Sequence, residues 1–165
     1  MTTGPAAATP AMRELARLGI PFTLHPYPHD PSVRSFGDEA ASALGLSTEV
    51  VFKTLVTLVD DSPAIAVLPV SGLLDMKAFA TTCGGRRADL ADLALAQRIT
   101  GYVIGGISPI GQKRVIRTVV DEQAWLHDVV YVSGGRRGLD IGLAPGDLIR
   151  ATNATAAAIA RAGSA

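Results

Sequence analysis

The segment GYVIGGISPIGQKR, residues 101–114, constrains the fold more than any other part of the chain. It contains four glycines and one proline, and it lies between a predicted helix and a predicted strand. Glycine adopts positive φ angles and lets the backbone approach a ligand, whereas Pro109 fixes its own φ and favours an extended Ser108. The pattern predicts a stiff loop with exposed backbone N–H groups, suited to an anion or a developing oxyanion. An ordinary glycine-rich turn would have the same composition.

Composition and charge limit the class of protein. The 165 residues are 48% hydrophobic, enough for the core of one domain, and no apolar run approaches the ~20 residues of a membrane span. The net charge of zero argues against binding duplex nucleic acid, duplex DNA included, through many phosphates, but not against binding the end of a strand. A single cysteine and an N-terminus without a secretory signal indicate a cytoplasmic protein. We expect a disordered lead-in at residues 1–9 and one domain at 10–165.

Local patterns predict an α+β fold. Helices are predicted to begin at Thr9–Pro10, at Ser35 with Asp38 in a capping box, at Asp75, at Asp92 and at Ala144–Pro145, with a helical turn at residues 121–126. The last helix is expected to turn Leu148, Ile149 and Ile159 inward. Strands are predicted at residues 22–25, 51–59, 64–70, 88–90 and 115–120, and as a hairpin of 129–133 with 139–143. Both faces of 51–59 are largely apolar, so this strand is expected to be central and covered on both sides. Interleaved hairpins and helices favour α+β over a doubly wound parallel sheet.

Two charged residues lie within predicted strands. Lys53 is in the middle of a largely apolar strand, and a buried ammonium without a partner is very unfavourable. Its side chain therefore either extends to an edge or points into a polar pocket that receives an anion. Asp140, in LDIGL, is either a solvent-facing residue or a carboxylate that orients an amine or a ribose hydroxyl.

The usual catalytic and metal-binding arrangements are absent from the sequence. There is no G-x-S-x-G motif, Walker loop or dinucleotide-binding fingerprint, and we expect no cofactor. Cys83 is predicted to be a core residue, and Trp125 a packing residue. His25 and His29 are separated by prolines and have no nearby cysteine, so no metal site is expected. Tyr27, in a proline-stiffened loop, is either a half-buried aromatic or a pocket wall with a hydroxyl to donate.

Several motifs together resemble a known family. FGDEAA (36–41), VFKTLV (51–56), TGYVIGGISPIGQKR (100–114) and YVSGGRRGLDI (131–141) resemble the bacterial YbaK/EbsC proteins, including their freestanding Cys-tRNA(Pro) deacylases. The resemblance extends over residues 10 to 150. It implies a mixed α+β domain with a central, partly curled sheet, also found as an editing domain in prolyl-tRNA synthetases.

The resemblance also implies residue roles. Lys53, Gly105 and Asp140 are expected to be catalytic, and Tyr27, Gly106, Ser108 and Ser133 to bind the substrate. This substrate is expected to be the aminoacylated 3′ end of tRNA, with prolyl-tRNA synthetase as a partner and a monomer or weak homodimer as the oligomeric state. The implied reaction removes cysteine by attack of the substrate's own thiol. A deacylase for alanine or serine, or a non-catalytic regulator that binds a tRNA end or a nucleotide, remains an alternative.

Overall fold

The computed structural model describes residues 7–163. Its helices are α1 (Pro10–Leu18), α2 (Phe36–Leu44), α3 (Met76–Thr82), α4 (Leu93–Thr100) and α5 (Pro145–Thr152), with a 3₁₀ helix at Glu122–Leu126. Its strands are β1 (Thr23–Pro26), β2 (Phe52–Val59), β3 (Ser62–Pro69), β4 (Gly72–Leu74), β5 (Ala88–Leu90), β6 (Arg117–Asp121), β7 (Val130–Arg136), β8 (Leu139–Leu143), β9 (Thr155–Ala157) and β10 (Ala160–Ala162). In the described chain no helix is both long and apolar enough to cross a bilayer.

The strands form one mixed sheet and two smaller antiparallel units. The main sheet has the order β5-β2-β3-β6-β9, in which the β3–β6 and β6–β9 pairs are parallel and the others antiparallel. A second sheet has the order β1-β8-β7, and β4 pairs with β10. A parallel bridge between Val51 and Tyr131 joins the start of β2 to β7. These mixed pairings and interleaved helices confirm the predicted α+β class.

β2 is an interior strand, as its apolar pattern predicts. Phe52 and Val56 on one face pack into the larger core cluster, which contains α1, α4, α5 and the β1-β8-β7 sheet. Leu55 and Val59 on the other face pack against the second cluster, around Phe79 of α3. Lys53 therefore lies in a strand that is covered on both faces, so its ammonium group has to reach polar surroundings.

The fold begins at Thr9, inside the predicted lead-in. The Thr9 hydroxyl accepts a 3.2 Å hydrogen bond from Met12 N and donates a 2.6 Å bond to the carbonyl of Gly134 in β7. Thr9 is thus the N-cap of α1, as predicted, and it also anchors that helix to the second sheet. Residues 1–6 of the predicted lead-in lie outside the described residues.

The predicted capping box at the start of α2 is wrong, although the helix itself is confirmed. Ser35 is the N-cap residue, but its side chain makes no capping hydrogen bond. The first N–H groups of α2 are therefore left without a side-chain partner, and this matters for the site described below.

The C-terminal part of the prediction is also corrected. α5 ends at Thr152, because Asn153 adopts a left-handed conformation with φ of 53°. Ile159 is fully buried, but it lies between two short strands rather than on the helix. The carboxylate of Asp121 accepts 2.9 Å hydrogen bonds from the N–H groups of Ile159 and Ala160, which fixes this crossing.

Trp125 is not the packing residue predicted from the sequence. Its side chain is 55% exposed in the 3₁₀ helix, beside Leu126, which is 77% exposed. The neighbouring Ala124 is the buried residue of this turn. A single helical turn can bury only one narrow face, and here the smallest side chain occupies it.

Candidate active site

One cavity brings together five of the seven site residues predicted from the sequence. It has a volume of about 300 Å³ and lies between the start of β2, the start of α2, the 101–114 loop and the β7–β8 hairpin. Lys53, Gly105, Asp140, Tyr27 and Ser133 all line it. The remaining two predicted residues, Gly106 and Ser108, are buried in the loop behind the wall.

The side chain of Lys53 lines the cavity and reaches the start of β4. Its Nζ donates a 2.8 Å hydrogen bond to the carbonyl of Gly72, at the start of β4. Burial lowers the pKa of Lys53, and the nearby carboxylate of Asp38 opposes that change. The ammonium is thus half-buried and held by one carbonyl, so it can still donate to an incoming anion.

Asp140 is the most deeply buried charged group in the cavity. Its side chain is 5% exposed, and no group within residues 7–163 donates a hydrogen bond to its carboxylate. Burial raises the pKa of Asp140 to about 7. In the antiparallel register it is directly opposite Ser133 of β7, whose hydroxyl accepts a 3.2 Å bond from Gly135 N. A carboxylate without partners in such a place is suited to a cationic or hydroxyl group of a ligand.

Tyr27 closes the cavity near Asp140. Its N–H donates a 2.9 Å hydrogen bond to the carbonyl of Gly138, which attaches the proline-rich loop to the tip of the hairpin. Burial, and then the charges of Asp140 and Glu39, raise the pKa of Tyr27 to about 12. The phenol therefore stays protonated and remains a hydrogen-bond donor.

Gly105 lies where no side chain fits. A Cβ atom added there would be 2.7 Å from Cε1 of Phe36 and 3.0 Å from Nε of Arg137, and its φ is +88°. The Arg137 Nε also donates a 2.7 Å bond to the carbonyl of Ile104, and its guanidinium lies 6.0 Å from the centre of the Phe36 ring. The loop is thus clamped between α2 and the hairpin, and glycine is required at this position.

The loop supplies backbone donors to the cavity, but only some of those expected. Within residues 7–163, the N–H groups of Gly105 and Ile107 have no acceptor, and both residues line the cavity. The N–H of Gly106 donates instead to the carbonyl of Val103 at 2.9 Å, and the Ser108 hydroxyl accepts from Ile110 N at 3.2 Å. The N–H of Ser108 also has no acceptor among these residues, so Gly105, Ile107 and Ser108 carry the free donors of the loop, whereas the N–H of Gly106 is used within it.

The start of α2 is a feature of the site that the sequence analysis missed. Ser35, Phe36, Gly37 and Asp38 all line the cavity, and the side chain of Ser35 leaves the first helical N–H groups uncapped. Such a helix terminus carries a partial positive charge that favours anions. The uncapped N-terminus and the Lys53 ammonium both favour an anion at this end of the cavity, and the nearby carboxylate of Asp38 offsets part of their charge.

Three other residues considered in the sequence lie outside the cavity. Cys83 follows α3, where it is half-buried against the second core cluster as predicted, and burial raises the pKa of its thiol. His25 Nε2 is 2.7 Å from the Thr23 hydroxyl, and His29 Nδ1 is 2.8 Å from Glu39. In the described part of the chain no three His, Cys, Asp or Glu side chains are arranged to hold a metal ion.

The chain belongs to the aminoacyl-tRNA editing domain family, whose model it matches over residues 30–151. A candidate Cys-tRNA(Pro)/Cys-tRNA(Cys) deacylase, EbsC of Enterococcus faecalis, is 34% identical over 146 residues, or 88% of each chain. The resemblance to the YbaK/EbsC proteins is thereby confirmed.

Solved structures agree with this assignment of the fold. A candidate trans-editing enzyme for prolyl-tRNA synthetase superposes with a TM-score of 0.83 over 97% of this chain and 99% of its own, at 22% identity. A hypothetical protein superposes with a TM-score of 0.82 over 92% of this chain and 99% of its own, at 25% identity. Membership of a family of aminoacyl-tRNA editing domains makes deacylation of aminoacyl-tRNA the activity of the class.

Proposed function

We propose that this protein is a trans-editing deacylase that removes cysteine from mischarged Cys-tRNA(Pro). The observation that carries the proposal is the cavity in which Lys53, the buried Asp140 and the free N–H groups of Gly105 and Ile107 converge. The name of the EbsC relative, which specifies Cys-tRNA(Pro) and Cys-tRNA(Cys), supports cysteine as the amino acid.

The charges of the cavity suggest how the aminoacylated adenosine binds. The Lys53 ammonium and the free N–H groups at the start of α2 are donors suited to the phosphate that precedes the terminal ribose, and the Asp38 carboxylate beside Lys53 offsets part of their charge. Asp140 suits the α-ammonium of the esterified amino acid or a ribose hydroxyl. Tyr27 closes the pocket and donates its phenolic proton. The ester carbonyl then lies toward the 101–114 loop, where Gly105 and Ile107 donate to its oxygen.

The cavity has the groups to stabilise an oxyanion but no evident enzyme nucleophile. No cysteine lines it, and within residues 7–163 none of its lining hydroxyls is hydrogen bonded to a histidine. Each backbone donor to an oxyanion contributes roughly 3 kcal/mol at the transition state. A nucleophile carried by the substrate would complete the reaction, and the cysteine thiol is one, with an ordinary pKa of ~8.5.

In this mechanism the substrate cleaves itself while the enzyme holds it. The sulfur of the esterified cysteine attacks its own carbonyl carbon, forming a C–S bond and a tetrahedral oxyanion. The oxyanion collapses, the carbon–oxygen bond to the ribose breaks, and the proton lost by the thiol ends on the ribose oxygen. The products are the uncharged tRNA and a cyclic thiolactone, which water opens to free cysteine. By holding the sulfur within reach of the carbonyl carbon, the enzyme supplies most of the required rate acceleration.

The decisive experiment compares tRNA(Pro) charged with cysteine, serine, S-methylcysteine, alanine or proline. The proposal expects rapid release of cysteine only, because serine replaces the thiol by a far weaker nucleophile and S-methylation blocks it. Equal release of cysteine and serine would overturn the thiol mechanism and indicate an activated water. Preferred release of alanine would favour the alanine editor, and tight binding without turnover would identify a regulator.

The partners follow from the same proposal. A protein with no net charge that holds mainly the aminoacylated 3′ end would select poorly among tRNAs. Docking on prolyl-tRNA synthetase would supply that selection by presenting freshly mischarged tRNA(Pro). A pull-down of the synthetase with and without tRNA(Pro) tests this, and sedimentation of the protein alone tests whether it is a monomer or weak homodimer.

A further inference from the structure

A second cavity, on the far side of the 101–114 loop, has walls rich in arginine. It has a volume of about 630 Å³ and lies between α1, residues 109–118 and the C-terminal end of α5. Arg13, Arg17, Arg114 and Arg150 line it, and Glu14 is the only carboxylate among its lining residues. Four guanidinium groups and one carboxylate leave an excess of three positive charges. We refer to this cavity as the arginine groove.

Two of these four guanidinium groups have no hydrogen-bond or ion-pair partner within residues 7–163. Arg17 forms an ion pair with Glu14, with an Nη2–Oε2 distance of 2.8 Å. Arg114 and Arg150 are exposed and make neither a hydrogen bond nor an ion pair with any group in residues 7–163. Because the whole chain is neutral, such a local excess marks this surface as electrostatically distinct.

Backbone segments that line the arginine groove are connected to segments that line the active-site cavity. Pro10 lines the groove, and the preceding Thr9 donates its 2.6 Å hydrogen bond to Gly134, the neighbour of the cavity residue Ser133. Gly111 also lines the groove, and a Cβ added to it would lie 2.5 Å from the carbonyl oxygen of Pro10. The 101–114 loop also reaches both cavities, since Ile107 lines the active-site cavity and Pro109, two residues further on, lines the groove.

We propose that the arginine groove binds backbone phosphates of the tRNA acceptor stem while the aminoacylated 3′ adenosine occupies the active-site cavity. This inference rests on the proposed function, since it takes the ligand of the cavity to be the end of a tRNA. Arginine suits phosphate because its charge is permanent and its planar donors form paired hydrogen bonds.

An acidic protein is the competing occupant, and the lining of the groove argues against it. Protein interfaces draw most of their affinity from buried aromatic anchors and an apolar centre. No aromatic residue is among those that line the arginine groove, and its arginines are exposed. An open, charged surface beside the site of a nucleic-acid substrate instead fits contacts to a phosphate backbone, which position the substrate without reading its sequence.

Binding of uncharged tRNA tests the proposal without depending on turnover. The binding of a fluorescent tRNA(Pro) transcript and of its acceptor-stem minihelix is measured for the wild type and for R114E/R150E over a range of salt concentrations. We expect at least about tenfold weaker binding by the variant near 0.1 M salt, and a log–log salt slope reduced by about one for each arginine. The matched control is R86E/R98E, which reverses two exposed charges outside the groove and should bind like the wild type.

A second measurement separates this inference from the proposed function. Turnover of a minimal substrate, the cysteinyl ester of adenosine, should be the same for the wild type and R114E/R150E, because this ester cannot reach the groove. Turnover of Cys-tRNA(Pro) should fall with the variant's affinity. Equal tRNA affinity of R114E/R150E and wild type, or an equal loss with R86E/R98E, would overturn the groove assignment and leave an acidic protein as its occupant. Absence of turnover on both substrates, with the arginine-dependent binding intact, would refute the proposed function alone.

Discussion

The ammonium of Lys53 is hydrogen bonded to the carbonyl of Gly72, with an Nζ–O distance of 2.8 Å. This contact joins the start of the interior strand β2 to the short strand β4, in the cavity that the uncapped start of α2 also lines. A half-buried cation with one main-chain acceptor keeps donors free for a ligand.

Replacement of Lys53 should therefore remove activity more than stability. We expect Lys53→Met to lower kcat/KM for Cys-tRNA(Pro) by about 10²- to 10³-fold, the loss typical of one charge-stabilising donor. Lys77→Met, at an exposed position on α3, is the matched control. Single-turnover rates and thermal unfolding of both variants would test this. A Lys53→Met protein that is folded and fully active would show that the cavity needs no cation.

Gly105 should tolerate no side chain, because an added Cβ would collide with the ring of Phe36. Gly84 has a similar φ of +75° but nothing within 4 Å of an added Cβ, so it is a matched control. Gly84→Ala should lower the free energy of unfolding by about 1 to 2 kcal/mol, the cost of a left-handed alanine. Gly105→Ala should lower it further and also impair deacylation. Equal losses measured by denaturant unfolding would mean that the Phe36 ring moves aside.

Asp140 should make the protein less stable as the pH rises. Its pKa is raised from a usual 3.8 to about 7, so the native state holds a proton that the unfolded chain releases. Stability is then lost between about pH 4 and pH 7 as the buried carboxyl ionises. Asp140→Asn cannot ionise, so its stability advantage over the wild type should grow by about 2 to 3 kcal/mol between about pH 5 and pH 8. Deacylation should fall in the same variant.

Urea unfolding at several pH values measures this difference. Asp128→Asn, at an exposed position, is the control for removing one carboxylate. A difference between Asp140→Asn and wild type that stays constant with pH would show that the carboxylate remains charged and partnered throughout.

Cys83 offers a test of where the reacting sulfur comes from. Its thiol is half-buried against the second core and does not line the cavity. Cys83→Ala should leave the deacylation rate unchanged and reduce stability by about 1 kcal/mol through lost packing. If the rate collapsed while circular dichroism showed a folded protein, the substrate-thiol mechanism would be wrong.

The sequence predicts those parts of the site that depend on unusual side chains in regular elements. Lys53 and Asp140 are recognisable because a charge within an apolar strand requires a polar environment. The resemblance to the YbaK/EbsC family adds Tyr27 and Ser133, which have ordinary local surroundings. Glycine content likewise identifies the loop that contains Gly105.

Most of the site features that the sequence does not predict are main-chain groups. The carbonyl that receives Lys53, the free N–H of Ile107 and the uncapped start of α2 carry no residue-specific signal. The alanine-rich segment after Asn153 has a high helix propensity, yet it forms β9 and β10 because β6 and β4 offer edges to pair with and Asp121 accepts the N–H groups of Ile159 and Ala160. Tertiary hydrogen bonds outweigh local preference in such short segments.

The pairing of β10 with β4 connects the last strand to the candidate active site. Ala162 is opposite Gly72, so the last strand steadies the peptide unit whose oxygen holds Lys53. Shortening the protein at Asn153 would remove the strand that pairs with β4, so we expect such a deletion to loosen the hold on Lys53 and to lower the proposed activity.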